Sequence, residues 1–230
     1  MSMAQAYNTQ GAHVTDFDKD WFQAAWPTGY STSVGILKLI GLNADDITRQ
    51  YIDPHAGPTR AALEIGPGAG FWSRLLLPRF GRVLLADVIP TPPEFTRRCG
   101  SLVDAPHATW LELESQQYDL EPVADHSVDY VWCFGVMCHL SLSAQRQYLQ
   151  SIVCKAAPGC QCLIMFANWK RHPQYKDVVV TGDPEDIRRS AWFYNDLEIT
   201  TELLTQAGFD IVCVDTYPEA RDTLAHVQVQ

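Results

Sequence analysis

The chain has 230 residues and a hydrophobic composition of 47%, enough to bury one full core and short for two. Its net charge of −10, from 27 acidic against 17 basic residues, argues against a nucleic-acid partner: Arg97-Arg98, Lys170-Arg171 and Arg188-Arg189 are small clusters, not a stripe for a phosphate backbone. No run approaches about 18 consecutive apolar residues and the polar first ~15 residues lack a secretory core, so no membrane span is expected, and seven scattered cysteines without a C-x-x-C pair suit a reduced, cytoplasmic setting.

Residues 18–26, from Asp18 to Trp26, read as a short aromatic-rich helix broken by Pro27-Thr28-Gly29-Tyr30. Helix returns over 32–40 and closes at Gly41. Asn43 then caps a further short helix to Tyr51, with Asp45 and Asp46 in its first turn, where negative charge suits the helix dipole. Residues 1–59 are thus expected to be a helical cover of the same domain as the core at 60–230.

From Arg60 onward apolar runs alternate with helix-length segments, the pattern of a mostly parallel sheet covered on both faces. Strands are expected at 61–66, 82–88, 108–113, 129–134, 160–167, 209–216 and 222–229, and helices at 70–79, 92–99, 142–156 and 196–207. The last two strands follow one another without a long helix.

The first of these strands ends in Leu63-Glu64-Ile65-Gly66-Pro67-Gly68-Ala69-Gly70. A dinucleotide fingerprint needs G-x-G-x-x-G and a P-loop needs G-x-x-x-x-G-K-[ST]; this turn satisfies neither, so no pyrophosphate cradle is offered. Glycines at Gly66 and Gly68 allow positive φ and let a ligand approach the main chain. Gly70 is expected to let the following helix pack on the strand. An acid, Glu64, beside such a turn suits a cofactor with a cationic amino-acid part and an adenosine.

The stretch resembles the first motif of class I S-adenosylmethionine (SAM) dependent methyltransferases, E/D-x-G-x-G-x-G, with Glu64, Gly66, Gly68 and Gly70 in the fixed places. The resemblance covers roughly residues 60–230 and implies an α/β, Rossmann-like, seven-stranded mostly parallel sheet with SAM as cofactor. Asp125-His126-Ser127-Val128-Asp129-Tyr130-Val131 resembles the family's D-x-S-x-D-x-V stretch. By that resemblance Asp87, ending the second strand, takes the ribose hydroxyls; Gln116 or Gln117, after the third, meets the adenine edge with an amide that both donates and accepts. Phe134 and Gly135, after the fourth strand, lie beside the methionine part, with the Phe134 ring near adenine or the sulfonium.

Three groups concern the acceptor. His139, just beyond the fourth strand, is the first candidate for a general base, followed by His172 and Tyr175, although a helix-packing role for His139 stands beside it. Residues 168–195 form a long connection with its own polar and aromatic residues, expected to be a substrate lid that contributes Asn168, Trp192 and Tyr194. From the N-terminal cover, Trp21 and Trp26 are expected at the substrate and Tyr30 or Thr32 at the SAM carboxylate, with part of these aromatics serving only as anchors.

No N-P-P-Y follows the fourth strand, no H-x-x-x-H is present and no acidic triad is spaced for Mg²⁺, so metal-free methyl transfer to an oxygen or nitrogen of a small molecule is expected. Two alternatives stay open: a SAM-consuming cyclase of the same fold, giving azetidine-2-carboxylate and methylthioadenosine, and a non-catalytic partner subunit.

Overall fold

The computed structural model describes residues 41–88, 93–102, 104–114, 117–171 and 195–230. The helices expected at 18–26 and 32–40 lie outside them. The helix capped by Asn43 is present as α1 (Ala44–Ile47), with the Asn43 side-chain oxygen accepting from the Asp45 and Asp46 amides, and continues as a wider π-helical turn over Thr48–Ile52.

Seven strands form one sheet: β1 (Gly57–Ile65), β2 (Phe80–Asp87), β3 (Ala108–Glu112), β4 (Val128–Cys133), β5 (Ala156–Phe166), β6 (Phe209–Cys213) and β7 (Thr223–Val229). Their order is β3-β2-β1-β4-β5-β7-β6, and only β7 runs antiparallel to its neighbours. β1 and β5 each start about four residues before the sequence suggests, because each makes one early pairing ahead of an irregularity: Gly57 opposite Phe80, and Ala156 opposite Val128. Helices α3 (Pro93–Cys99), α4 (Leu142–Lys155) and α5 (Leu197–Ala207) sit close to their expected places. The helix expected over 70–79 is only one regular turn, α2 (Ser73–Leu76). On one side the glycine turn holds the chain out of helix, and on the other Pro78 has no N–H to continue the ladder.

Side-chain alternation along each strand divides the interior into two cores. Leu63, Ile65, Val131, Cys133, Cys162 and Ile164 face α4 and α5, meeting Leu149, Ile152, Leu203 and Leu204. Ala62, Tyr130, Trp132, Leu163 and Met165 face the other way, under Ile47, Ile52, Leu76 and Phe95. All seven cysteines are free thiols; five are buried as the composition suggests, while Cys154 and Cys213 are exposed.

Because the chain crosses from β3 back to β4, the strand order reverses between β1 and β4. The crevice at their carboxyl ends is where a sheet of this kind takes ligands.

Candidate functional site

The glycine turn leaves β1 at this crevice. Gly66, Gly68 and Gly70 have φ of 70°, 49° and 77°, a left-handed path that side chains rarely follow. Gly66 donates its amide to the Ala86 carbonyl at 2.9 Å, and Gly70 donates to the Pro67 carbonyl at 2.8 Å. A Cβ at Gly66 would stand 2.3 Å from Val136 Cγ2, so the turn from β1 and the segment after β4 come together only because this residue has no side chain. At Gly70 the close approach is to α3, where a Cβ would meet Cys99 Sγ at 2.7 Å and Phe95 Cδ2 at 2.8 Å. The sequence suggested that Gly70 lets the following helix pack on the strand; the side chains closest to it belong to α3, the helix after β2. Pro67 is buried between the first two glycines.

Two carboxylates face this turn. Asp87, 8% exposed at the end of β2, accepts from the Gly68 amide through Oδ2 at 3.3 Å. Glu64, one residue before the end of β1, is 1% exposed, and its Oε2 has no hydrogen-bond partner among the described residues. Burial pushes the Glu64 carboxyl up to about 8, and the charge of Asp87 pushes the same way. The Ser73 hydroxyl and amide hold the shift down in part, while Glu64 Oε2 and the Ser73 hydroxyl oxygen have no hydrogen-bond partner among the described residues.

The wall on the same side is aromatic. Trp72 packs at 4.4 Å from Trp132 and 5.1 Å from Phe134, and the Phe134 ring lies nearly parallel to Trp132 with centroids 5.8 Å apart. Phe134 is half-buried, and Gly135 after it takes φ of 78° with open space around its Cα. Trp72 and Trp132 escaped the sequence reading, because an aromatic next to a glycine turn or within an apolar strand looks like any core residue.

His139 closes a single 3-10 turn, Met137–His139, directly after this segment and is half-buried. That turn is held from beneath by Gln145 of α4, fully buried, whose Nε2 donates to the carbonyls of Met137 and Leu140, both at 2.9 Å. Gln145 also exchanges hydrogen bonds with Asn195, whose Nδ2 donates to Gln145 Oε1 at 2.8 Å. Neither amide was singled out in the sequence, where each reads as a polar residue at a helix boundary. Asn195 in turn forms a bridge with Asn168.

Asn168, expected at the substrate, is 2% exposed, with Nδ2 donating to Thr223 Oγ1 at 3.0 Å and Oδ1 accepting from the Lys170 amide at 3.1 Å. Its side chain is occupied in joining β5 to β7. Together with the Lys170–Asp196 ion pair at 3.0 Å and the Arg171–Asp215 pair, it fixes both ends of the expected lid. Gln117 is exposed beside the end of β3. Tyr118, next to it, has φ of 49°, a strained position that no sequence pattern announced. Trp21, Trp26, Tyr30, Thr32, Gln116, His172, Tyr175, Trp192 and Tyr194 lie outside the described residues.

The D-x-S-x-D stretch works away from the crevice. Asp129 accepts from the Ala61 amide at 2.8 Å and Asp125 pairs with Lys155 at 2.7 Å, fastening the start of β4 to its neighbours.

Residues 63–164 match the family model described as "Methyltransferase domain". Among solved structures, the chain is similar to the pyocyanin biosynthetic protein PhzM, at 13% identity and a TM-score of 0.64, covering 100% of this chain and 68% of that one. It is also similar to a SAM dependent methyltransferase from Aquifex aeolicus, at 17% identity and a TM-score of 0.58, covering 93% and 100%. A third is the Burkholderia thailandensis 1,6-didemethyltoxoflavin-N1-methyltransferase with bound 1,6-didemethyltoxoflavin and S-adenosylhomocysteine, at 17% identity and a TM-score of 0.53, covering 75% and 72%. Compared by sequence with curated proteins, the chain matches none. Among the described residues, no helix is long and apolar enough to cross a membrane.

Proposed function

We propose that the chain, which carries a methyltransferase domain over residues 63–164 and shares its fold with SAM-dependent methyltransferases, is a class I enzyme of that kind that methylates an oxygen or nitrogen of a small molecule. The observation that carries the proposal is the meeting, at the switch point, of a glycine-rich turn on a left-handed path, the Asp87 carboxylate and the Phe134-Gly135 segment. The residues fit the cofactor: Gly135 has open space around its Cα beside the glycine turn, and Glu64 keeps a buried oxygen without a partner among the described residues. The Burkholderia relative, with a small molecule and S-adenosylhomocysteine bound, supports the substrate class.

SAM supplies a methyl group already activated by its sulfonium, so positioning and exclusion of water are the work left to the protein. In this reading Asp87 accepts from the ribose hydroxyls, the backbone of Gly66, Pro67, Gly68 and Gly70 borders the amino-acid part, and Glu64 faces its positive charge. Phe134 and Gly135 flank the methionine part, while Gln116 and Gln117 read the adenine edge. His139 removes a proton from the acceptor where the acceptor has one to lose, with His172 and Tyr175 behind it. The connection 168–195, including Trp192 and Tyr194, and the cover at 1–59, including Trp21, Trp26 and Tyr30, enclose the acceptor; Asn168 serves as the anchor of that lid.

Calorimetry with S-adenosylhomocysteine and with NADH tests the cofactor, and mass spectrometry of SAM incubated with and without a panel of phenols, amines and heteroaromatics tests the transfer. S-adenosylhomocysteine binding, with turnover only when an acceptor is added, is the expected result. NADH binding in its place overturns the cofactor, and methylthioadenosine formed without acceptor replaces transfer by internal cyclisation.

A further inference from the structure

Glu64 stands out among the buried polar groups. Its register neighbours are Leu85 on β2 and Trp132 on β4, both buried, and Oε2 is left without a hydrogen bond. An ionised carboxylate in that position would lack what normally offsets the removal of a charge from water. Among the described residues, the ionisable groups packed around it do not supply a cation. Asp87 from β2 repels a negative charge, and the Cys99 thiol from α3 is itself pushed up to about 11 by burial and by Glu64. The two arginines of this neighbourhood, Arg98 and Arg74, act on Cys99, and Arg74 is exposed with its guanidinium 4.8 Å over the Phe71 ring. The hydroxyl and the amide of Ser73 in α2 are the neutral groups that pull the other way.

We infer that Glu64 is protonated while the site is empty and surrenders that proton to solvent when a primary ammonium binds beside the glycine turn. The inference rests on the proposed SAM site and adds to it a coupling between cofactor capture and proton release. The bond broken is the Glu64 O–H; the charge that replaces the proton is the ammonium of the ligand's amino-acid part. With its carboxyl pushed up to about 8 by burial, the empty protein holds the proton in most molecules at pH 7. A buried acid whose one unpaired oxygen borders the turn then selects for a cation and leaves a neutral ligand without its partner.

The test is calorimetry of S-adenosylhomocysteine binding in buffers of different ionisation enthalpy, between about pH 6 and 7.5, where the ligand amine stays charged. Release of close to one proton is expected, with affinity rising close to tenfold per pH unit. 5′-Methylthioadenosine, which lacks the amino-acid part, should release none, and Glu64→Gln should flatten the pH dependence. Binding of S-adenosylhomocysteine without proton release, or release that persists in Glu64→Gln, overturns the inference while leaving the cofactor reading intact. No binding at all overturns the cofactor reading and this inference with it. Should the variant fail to fold, the infrared difference spectrum of the wild-type protein decides: a protonated-carboxyl band that disappears on binding is expected, and its absence overturns the inference.

Discussion

The two ends of the parallel strands both press ionisable groups into the protein, with opposite consequences. At the carboxyl end Glu64 and Asp87 share the glycine turn, and burial pushes Glu64 up to about 8. At the amino end His55 stacks on Tyr130 with ring centroids 5.9 Å apart and lies 5.8 Å from His226, whose Nε2 is 2.8 Å from Gln161 Oε1. Burial pulls both histidines below their ordinary range, with Arg60 adding to the effect on His55 and His55 to that on His226. Each end favours neutral forms, but only the carboxyl end leaves open backbone and an orphaned carboxylate oxygen. The amino end is closed by its own ring contacts. The Tyr130 hydroxyl is also buried without a partner among the described residues, so a leftover polar atom is no sign of a ligand site unless open backbone lies beside it.

This contrast can be broken by substitution. Asp87→Ala should have the largest effect, weakening S-adenosylhomocysteine binding by about 10²- to 10⁴-fold, the loss of two hydrogen bonds to a charged acceptor at about 1.5–3 kcal/mol each. Calorimetry checks it, and unchanged affinity would move the ribose elsewhere. Gly66→Ala should lower stability by about 2 kcal/mol or more in chemical denaturation, since its Cβ would meet Val136 Cγ2 at 2.3 Å on a residue with φ of 70°. A smaller effect is expected at Gly135→Ala, about 1 kcal/mol, where the same left-handed backbone has no neighbour within 4 Å.

The pH dependence of stability without ligand separates the two ends. The folded value of Glu64, about 8, lies above its ordinary 4.5, so its contribution is full below about 4.5 and is lost as pH rises toward 8. The histidines are lowered from 6.5, so theirs is full above 6.5 and is lost as pH falls through their folded values. Glu64→Gln should therefore melt above wild type at pH 8, with the gap closing toward pH 5 by up to about 1.4 kcal/mol per pH unit. A gap that does not change with pH would mean that Glu64 is ionised throughout.

Much of the arrangement was legible in the residues. Apolar alternation and helix periodicity placed all seven strands of the sheet and the helices α3, α4 and α5, because burial on a sheet face or helix face imposes those periods directly. The glycine spacing and Asp87 pointed to the crevice, since positive φ and a strand-end acid are local requirements that few other residues meet. What escaped depends on contacts between distant segments. Asn168 looked like a lid residue and is an anchor, because its partner Thr223 is 55 positions away. The motif acids Asp125 and Asp129 carried the resemblance, and their role, fastening the start of β4 to its neighbours, is set by partners 30 and 68 positions away.

The sequence by itself determined the order of elements and the left-handed path of the glycine turn, both set by local sterics and by the periodicity of burial. Only the tertiary structure decided what Glu64 experiences. A carboxyl group at a strand end is an ordinary acid until Leu85, Trp132 and Asp87 surround it and water is withdrawn. The proton it holds is a property of that enclosure, which no neighbouring residue in the chain encodes.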